Sequence, residues 1–233
     1  LAEDENGEEV DRTTVDAVTT SSTNVMMTTV AGNEYAIGYI SLGSLNETVK
    51  ALSIDGTAAT AENVANGSYK IARPFNIAYK GSLSAVAQDF VDFILSADGQ
   101  AVIEAEGYIA VDAAAAAYAG SKPAGSVTIS GSSSVTPVME KLKEAYEAIN
   151  PDADIAVTQS DSSTGMSDAI NGISDIGMAS RAVKDSELAE GLTAVTIATD
   201  GIAVIVNNNN PAADMTVDLS LIHISEPTRP EPI

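Results

Sequence analysis

Two strand–loop–helix units follow one another in the second half of the chain, and each contains a loop rich in small hydroxyl residues and glycine. The first runs from the β-branched stretch 127–129 through the loop 130–137 to apolar residues at helical spacing up to Tyr146. The second runs from 155–158 through 161–165 to 166–173. Neighbouring parallel strands end at one edge of a sheet, so both helix N-termini would point to one place. The pattern predicts an α/β fold with an anion-binding site and not a catalytic one.

A third stretch, residues 175–181, has the same small-residue character. Thr136 and Pro137 mark the start of the first helix, because proline suits the first helical position. The alternative interpretation is that all these hydroxyl groups are ordinary helix N-caps.

Several motifs resemble those of the phosphate-binding proteins that serve ABC transporters of the phosphate-specific type. Residues 126–217 resemble the N-terminal portion of that family through the loops GSSSVTP, SDSSTG and DIGMASR and the strand TDGIAVIVN at 199–207. Residues 13–111 resemble the C-terminal portion through AIGYISLG at 36–43, NGSY with ARPF, and FVDFILS at 90–96. The resemblance implies α/β lobes of the periplasmic-binding-protein-like type II, incomplete and in permuted order.

The inverted order of the two portions predicts a window cut from a longer polypeptide, in which one module ends and the next begins. The expected divisions are an acidic lead-in at 1–12, a first portion at 13–111, a linker at 112–125, a second portion at 126–218 and a non-native tail at 219–233. Residues 66–111 and 126–217 could also dock as a permuted copy of one lobe. In that case Phe75 and Phe93 should contact the strands at 127–129 and 202–206.

The resemblance also implies which residues bind the anion. The matching positions in the first loop are Ser134, Val135 and Thr136, with Ser132 and Ser133 in the approach. In the second loop the match is Ser162, with Ser163, Thr164 and Gly165 beside it, and in the third it is Ser180, followed by Arg181. Many members carry, in the third loop, an aspartate that accepts the proton of hydrogen phosphate, and Ser180 stands in its place. Asp161 is either a substitute acceptor or an exposed loop acid, and Arg181 is either a ligand contact or part of a surface salt bridge.

In this family the second lobe adds an arginine and a Ser-Gly-Thr helix start, and neither motif occurs in residues 1–111. The chain is therefore expected to hold half a site with weak affinity. The hydroxyl-rich run from Thr20 to Thr23, ahead of the apolar stretch 25–30, favours helix capping over ligand contact.

The resemblance implies capture of inorganic phosphate, or a similar oxyanion, for an ABC transporter permease, at an extracytoplasmic location in the periplasm or at the cell surface, with or without a lipid anchor. The alternative is an extracellular interaction or sensing protein that retains the scaffold without transport. No enzyme, cofactor or metal is expected: there is no Gly-x-Ser-x-Gly motif and no cysteine, and the acidic run at 3–9 lacks the spacing of a calcium loop.

Charge and hydropathy exclude other partners. A net charge of −22 disfavours nucleic acids and anionic membranes, whose binding depends on basic patches. The apolar runs are far shorter than the roughly 20 residues that span a bilayer. The tail at 219–233 resembles a translated sequencing adapter, so its single histidine, His223, is not a catalytic candidate.

Overall fold

The structure is a computed structural model that describes residues 2–3, 9–10, 17–20 and 22–217. The strands, in chain order, are β1 (Ala2–Glu3), β2 (Glu9–Val10), β3 (Ile37–Ser41), β4 (Lys50–Ala51), β5 (Ser53–Ile54), β6 (Ala72–Lys80), β7 (Ile109–Ala110), β8 (Gly125–Ser132), β9 (Ala153–Ser160), β10 (Ile176–Ala179), β11 (Leu192–Val206) and β12 (Asp214–Met215). The helices are α1 (Thr23–Ala31), α2 (Ala61–Ala65), α3 (Ala85–Leu95), α4 (Ala97–Ala105), α5 (Thr136–Ile149), α6 (Ser162–Asn171) and α7 (Asp185–Ala189), with a 3₁₀ turn at Leu42–Ser44. The tail at 219–233, including His223, lies outside the described residues.

Both predicted strand–loop–helix units are confirmed. Helix α5 begins at Thr136 with Pro137 in its first turn, and its buried face consists of apolar residues at helical spacing, namely Val138, Met139, Leu142 and Tyr146. Helix α6 begins at Ser162, four residues before the predicted 166, because Asp161 caps it. The third stretch is mostly strand: four consecutive buried residues form β10, and only Ser180 and Arg181 follow it as loop.

One eight-stranded sheet forms the centre of the molecule, in the order β3-β11-β6-β10-β8-β9, with β4 and β7 also paired to β11. The neighbours β9, β8 and β10 are parallel. Strand β6 is antiparallel to both β10 and β11, and β11 is antiparallel to β3. The three parallel strands therefore end at the same edge of the sheet.

Strand β11 connects two lobes. Its residues from Leu192 to Gly201 pair with β6, and those from Ile202 to Val206 pair with β3. We call residues 72–110 and 125–200 the first lobe, and residues 22–71 and 201–217 the second lobe. Each has its own buried apolar clusters, centred on β6, β8 and α3 in the first lobe and on β3, β5 and the end of β11 in the second.

The first lobe contains parts of both sequence portions, and of the two contacts that the docking hypothesis required, the one with 127–129 is present and the one with 202–206 is absent. Phe75 and Phe93 are fully or almost fully buried in one cluster with Val127 and Ile129. Phe75 lies opposite Ala198 in β11, whereas the segment at 202–206 pairs with β3 in the second lobe and not with Phe75. Burying these side chains together stabilises the pairing of the portions by roughly 1.5–3 kcal/mol per large residue.

The segment that joins the portions contains no helix or strand from 112 to 124 and is bound to the first lobe. The Tyr118 ring packs edge-on against Phe93 with 5.4 Å between centroids, and its hydroxyl donates to the Asp89 carboxylate. Tyr146 donates to the same carboxylate at 2.7 Å, and the Ser121 N–H donates to it at 3.0 Å. Burial alone would raise the pKa of Asp89, but these hydrogen bonds lower it overall. The segment that joins the two portions, which we call the joint, is therefore anchored to α3 and, through the shared Asp89 carboxylate, to α5.

Among the described residues, no helix is long and apolar enough to cross a membrane. In the same part of the chain, no three His, Cys, Asp or Glu side chains are grouped to hold a metal ion.

Candidate oxyanion-binding site

The three predicted loops meet at the carboxyl edge of the parallel strands. Ser132, the last residue of β8, pairs with Ser160, the last residue of β9. The N–H of Ser133 donates to the Ser160 carbonyl at 3.1 Å, which holds the first two loops together. Strand β10 pairs in parallel with β8, so Ser180 follows it at the same edge. The convergence inferred from the sequence is thus present in the fold.

The first loop leaves the beginning of α5 uncapped. The Ser132 carbonyl accepts from the Val135 N–H at 3.1 Å and from the Thr136 hydroxyl at 3.0 Å. Val135 occupies the N-cap position, and no side chain caps the first-turn N–H groups. The hydroxyls of Ser133 and Ser134 are half-buried and bond to no described residue. Uncapped N–H groups and free hydroxyls are donors that an anion can use. The Thr136 proton, in contrast, is already donated within the loop.

The second loop is capped by its own acid. One oxygen of Asp161 accepts from the N–H groups of Ser163 and Thr164 at 2.8 and 2.9 Å, and the other accepts from the Thr164 hydroxyl at 2.7 Å. The hydrogen bonds from the Thr164 backbone and hydroxyl hold the pKa of Asp161 below its usual value. Asp161 is exposed, as one interpretation required, but it caps α6. Both of its oxygens are occupied, and the N–H groups that it binds are not free for an anion.

Ser162 and Ser180 come together across the second and third loops. The Ser180 N–H donates to the Ser162 hydroxyl at 3.2 Å, and the two hydroxyl oxygens are 3.5 Å apart. Because Ser162 Oγ accepts the backbone bond, its own proton can be donated to a ligand or to Ser180. The second loop therefore offers one hydroxyl donor at the sheet edge from which α5 also begins.

Arg181 forms a salt bridge, the second of its two sequence interpretations. Its Nη1 and Nη2 donate to the two carboxylate oxygens of Glu187 at 2.9 and 2.7 Å. This pair of bonds raises the pKa of Arg181 and lowers that of Glu187. Nη2 also lies 3.4 Å from the Ser163 hydroxyl. Both ends of the guanidinium fork are thus engaged within the first lobe.

Gly165 is buried and serves close packing. A β-carbon there would lie 2.6 Å from the Gly131 Cα, 2.7 Å from the Ser130 carbonyl oxygen and 3.0 Å from the Met178 carbonyl oxygen. Real β-carbons do not approach backbone atoms so closely, so only glycine lets α6 rest on β8 and β10. Its role is to place Ser162 beside the sheet edge.

A pocket of about 200 Å³ lies between the lobes and contains residues that the sequence interpretation missed. Ser133 and Ser134 line it from the first lobe, together with Arg73 at the start of β6. Tyr39 of β3 and the hydroxyl residues Thr19, Thr20, Ser22 and Thr23 around the start of α1 line the opposite side. Ser22 also caps α1, accepting from the Val25 N–H at 3.4 Å. The hydroxyl-rich run at 20–23 was a sequence signal that could have indicated this wall of the pocket, whereas no local pattern marked Arg73 as a pocket residue.

Comparisons with known proteins agree with this architecture. Residues 116–224 match a family model described as a PBP superfamily domain. The phosphate-binding protein PstS 2 of Streptococcus agalactiae serotype V is 54% identical over 211 residues, which covers 90% of this chain and 72% of that protein. PstS 2 of Streptococcus pneumoniae serotype 4 is 42% identical over 208 residues, covering 89% of this chain and 71% of that protein. These matches are longer than either sequence portion and so include both.

A solved structure is similar over almost the whole chain. It is the crystal structure of a phosphate-binding protein of a phosphate ABC transporter from Streptococcus pneumoniae TIGR4. It superposes with a TM-score of 0.73 at 40% sequence identity, covering 95% of this chain and 86% of that one. The fold is thus the periplasmic-binding-protein-like α/β fold expected from the sequence. The chain belongs to the family of PstS phosphate-binding proteins of ABC transporters.

Proposed function

We propose that this chain captures inorganic phosphate, or a similar oxyanion, and delivers it to the permease of an ABC transporter outside the cytoplasm. The observation that carries the proposal is that the uncapped start of α5 and the Ser162 hydroxyl follow two paired parallel strands, β8 and β9, that end at the same sheet edge. Helix N-termini stabilise anions through unsatisfied N–H groups and the helix dipole. Binding is the whole chemistry proposed for this site, with no catalytic step.

The strongly negative net charge is compatible with an anion site. Charges on the outer surface are screened over about 8–10 Å at physiological salt. The donors at the loops are neutral hydroxyl and N–H groups that act at contact distance. The charge of −22 should slow long-range capture of phosphate without abolishing its binding.

We further propose that residues 13–111 and 126–218 act as one permuted binding protein, joined at 112–125. The shared core of Phe75, Phe93, Val127 and Ile129 supports this arrangement over two modules in tandem. A single permuted protein should bind one phosphate per chain, so the titration below also measures the stoichiometry.

The test is a calorimetric titration of the chain with phosphate, sulfate and molybdate, repeated with Ser162→Ala. We expect phosphate binding that weakens at least tenfold in the variant, because a hydrogen bond to a charged group contributes roughly 1.5–3 kcal/mol. The matched control is Ser126→Ala, an exposed serine at the other end of β8, which should bind like the unchanged chain. Failure to bind any of the three anions would refute the proposal and favour an interaction or sensing protein.

A further inference from the structure

The pocket between the lobes has the chemistry of an anion site. Among the described residues that line it, Arg73 is the one charged side chain. The other polar groups are hydroxyls: Tyr39 and the serine and threonine residues on both sides. A single cation surrounded by hydroxyl donors suits an oxyanion, and no acidic residue of the described lining opposes it.

The guanidinium group of Arg73 is only partly engaged by other described residues. Its Nε donates to the Asp200 carboxylate at 3.1 Å, and its side chain is 19% exposed. Among the described residues, none accepts a hydrogen bond from its two terminal nitrogens. Arg181 differs, because Glu187 engages both of its terminal nitrogens. A guanidinium binds oxyanions best through paired N–H groups. The terminal N–H groups of Arg73 remain available for such a bond, whereas those of Arg181 already bind Glu187.

Asp200 fixes Arg73 where the lobes meet. It is fully buried and also accepts from the Ser41 hydroxyl at 2.8 Å and from the Leu42 N–H at 3.2 Å. These bonds join the end of β3 to β6 and β11 at the point where β11 passes from one lobe to the other. An arginine whose Nε is already held by a carboxylate loses little side-chain freedom when its terminal nitrogens bind a ligand.

We propose that Arg73 is an anion-contact residue, whose terminal nitrogens bind the oxyanion from the floor of the cleft while the first loop binds it through Ser133 and Ser134. This inference rests on the proposed function. It assigns the cationic contact that the sequence motifs did not supply, and it makes the site larger than the half-site expected from the first lobe alone. The hydroxyls around Ser22 complete the wall opposite the first loop.

The experiment is a calorimetric titration with inorganic phosphate of four proteins: the unchanged chain, Arg73→Lys, the double variant Arg73→Gln with Asp200→Asn, and Lys141→Gln. The double variant removes both charges, so that no buried carboxylate is left unpaired. Lys141 is an exposed residue of α5 that does not line the pocket, so its replacement tests whether losing a positive charge elsewhere on the surface affects binding. Circular dichroism and thermal unfolding confirm that each variant is folded.

We expect Arg73→Lys to bind phosphate about 10-fold more weakly and the double variant about 10- to 100-fold more weakly, because the fork and then the charge are lost. Lys141→Gln should bind like the unchanged chain. If the unchanged chain binds phosphate and the folded double variant binds it equally well, Arg73 is structural and this inference alone fails. If the unchanged chain binds no phosphate, the proposed function fails and this inference fails with it.

Discussion

Replacing Gly165 with alanine should distinguish a packing role from a flexible loop position. The new β-carbon would lie 2.6–3.0 Å from the Gly131 Cα and from the carbonyl oxygens of Ser130 and Met178. Ordinary contacts begin near 3.4 Å, so α6 would have to move by several tenths of an ångström away from two strands. The three nearest atoms all belong to the backbone, so no flexible side chain among them can absorb the movement.

The change in the free energy of unfolding caused by Gly165→Ala is the sum of two opposing contributions. Overpacking a closely packed core costs typically 1–3 kcal/mol, and the contact with rigid backbone places this site near the upper end. Alanine in place of glycine within a helix gains about 1 kcal/mol. We therefore expect Gly165→Ala to lower the free energy of unfolding by about 2 kcal/mol. It should also weaken phosphate binding, because Ser162 moves together with the helix.

The assay is urea unfolding followed by circular dichroism, alongside a phosphate titration. Gly172→Ala is the matched control, because Gly172 ends the same helix with φ of 70° and has open space around its β position. Its cost should be about 1 kcal/mol from backbone conformation alone, with phosphate affinity unchanged. A Gly165→Ala protein as stable as the unchanged chain would refute the packing argument.

The other predictions concern charged groups near the loops at the carboxyl edge of the parallel strands. Asp161→Ala should lower the free energy of unfolding by about 1 kcal/mol, while Asp161→Asn keeps a cap and costs little, as measured by urea unfolding. Because the folded pKa of Asp161 is lowered, its stabilisation is present above the unfolded pKa of about 3.9 and is lost as pH falls through the folded value, so the Ala variant's deficit should shrink in acid. Glu187→Gln should free Arg181 and strengthen phosphate binding severalfold by calorimetry; equal affinity would place Arg181 out of reach of the anion. Ser180→Asp should reduce sulfate binding at least tenfold in competition titrations with phosphate, because an unprotonated oxyanion cannot satisfy a carboxylate acceptor; undiminished sulfate binding would contradict this.

Local patterns in the sequence were sufficient for the first lobe's loops. The start of α5 at Thr136 and Pro137 follows from helix geometry alone, and the strand before it from β-branched residues. The cap at Asp161 was also predictable, since an acid ahead of Ser-Ser-Thr has the residue types of an N-cap. The sequence interpretation instead left Asp161 open between a substitute acceptor and an exposed loop acid.

Contacts between distant parts of the chain were not predictable from local patterns. Arg73 meets Asp200 across 127 positions, and Tyr39 joins the pocket through the pairing of β3 with β11. The pairing of Arg181 with Glu187 depends on how the chain turns after β10. The contacts of Arg73 and Tyr39 are set by strand register in the folded sheet, which residue spacing alone does not determine, whereas the pairing of Arg181 with Glu187 is local.

The sheet depends on which strands are adjacent and not on the order of the two sequence portions along the chain. Strand β6 comes from the first portion and lies between β11 and β10 of the second, so both portions are needed to complete the sheet beside the loops. The segment that joins the two portions has to span the distance between them without disturbing α3 and α5. Asp89 meets that requirement by accepting bonds from Tyr118, Ser121 and Tyr146, which tie the joint to both helices. The hydrogen bonds that hold the joint are therefore separate from those that place Ser162 and the start of α5, and substitutions at Tyr118 should change stability without changing anion selectivity.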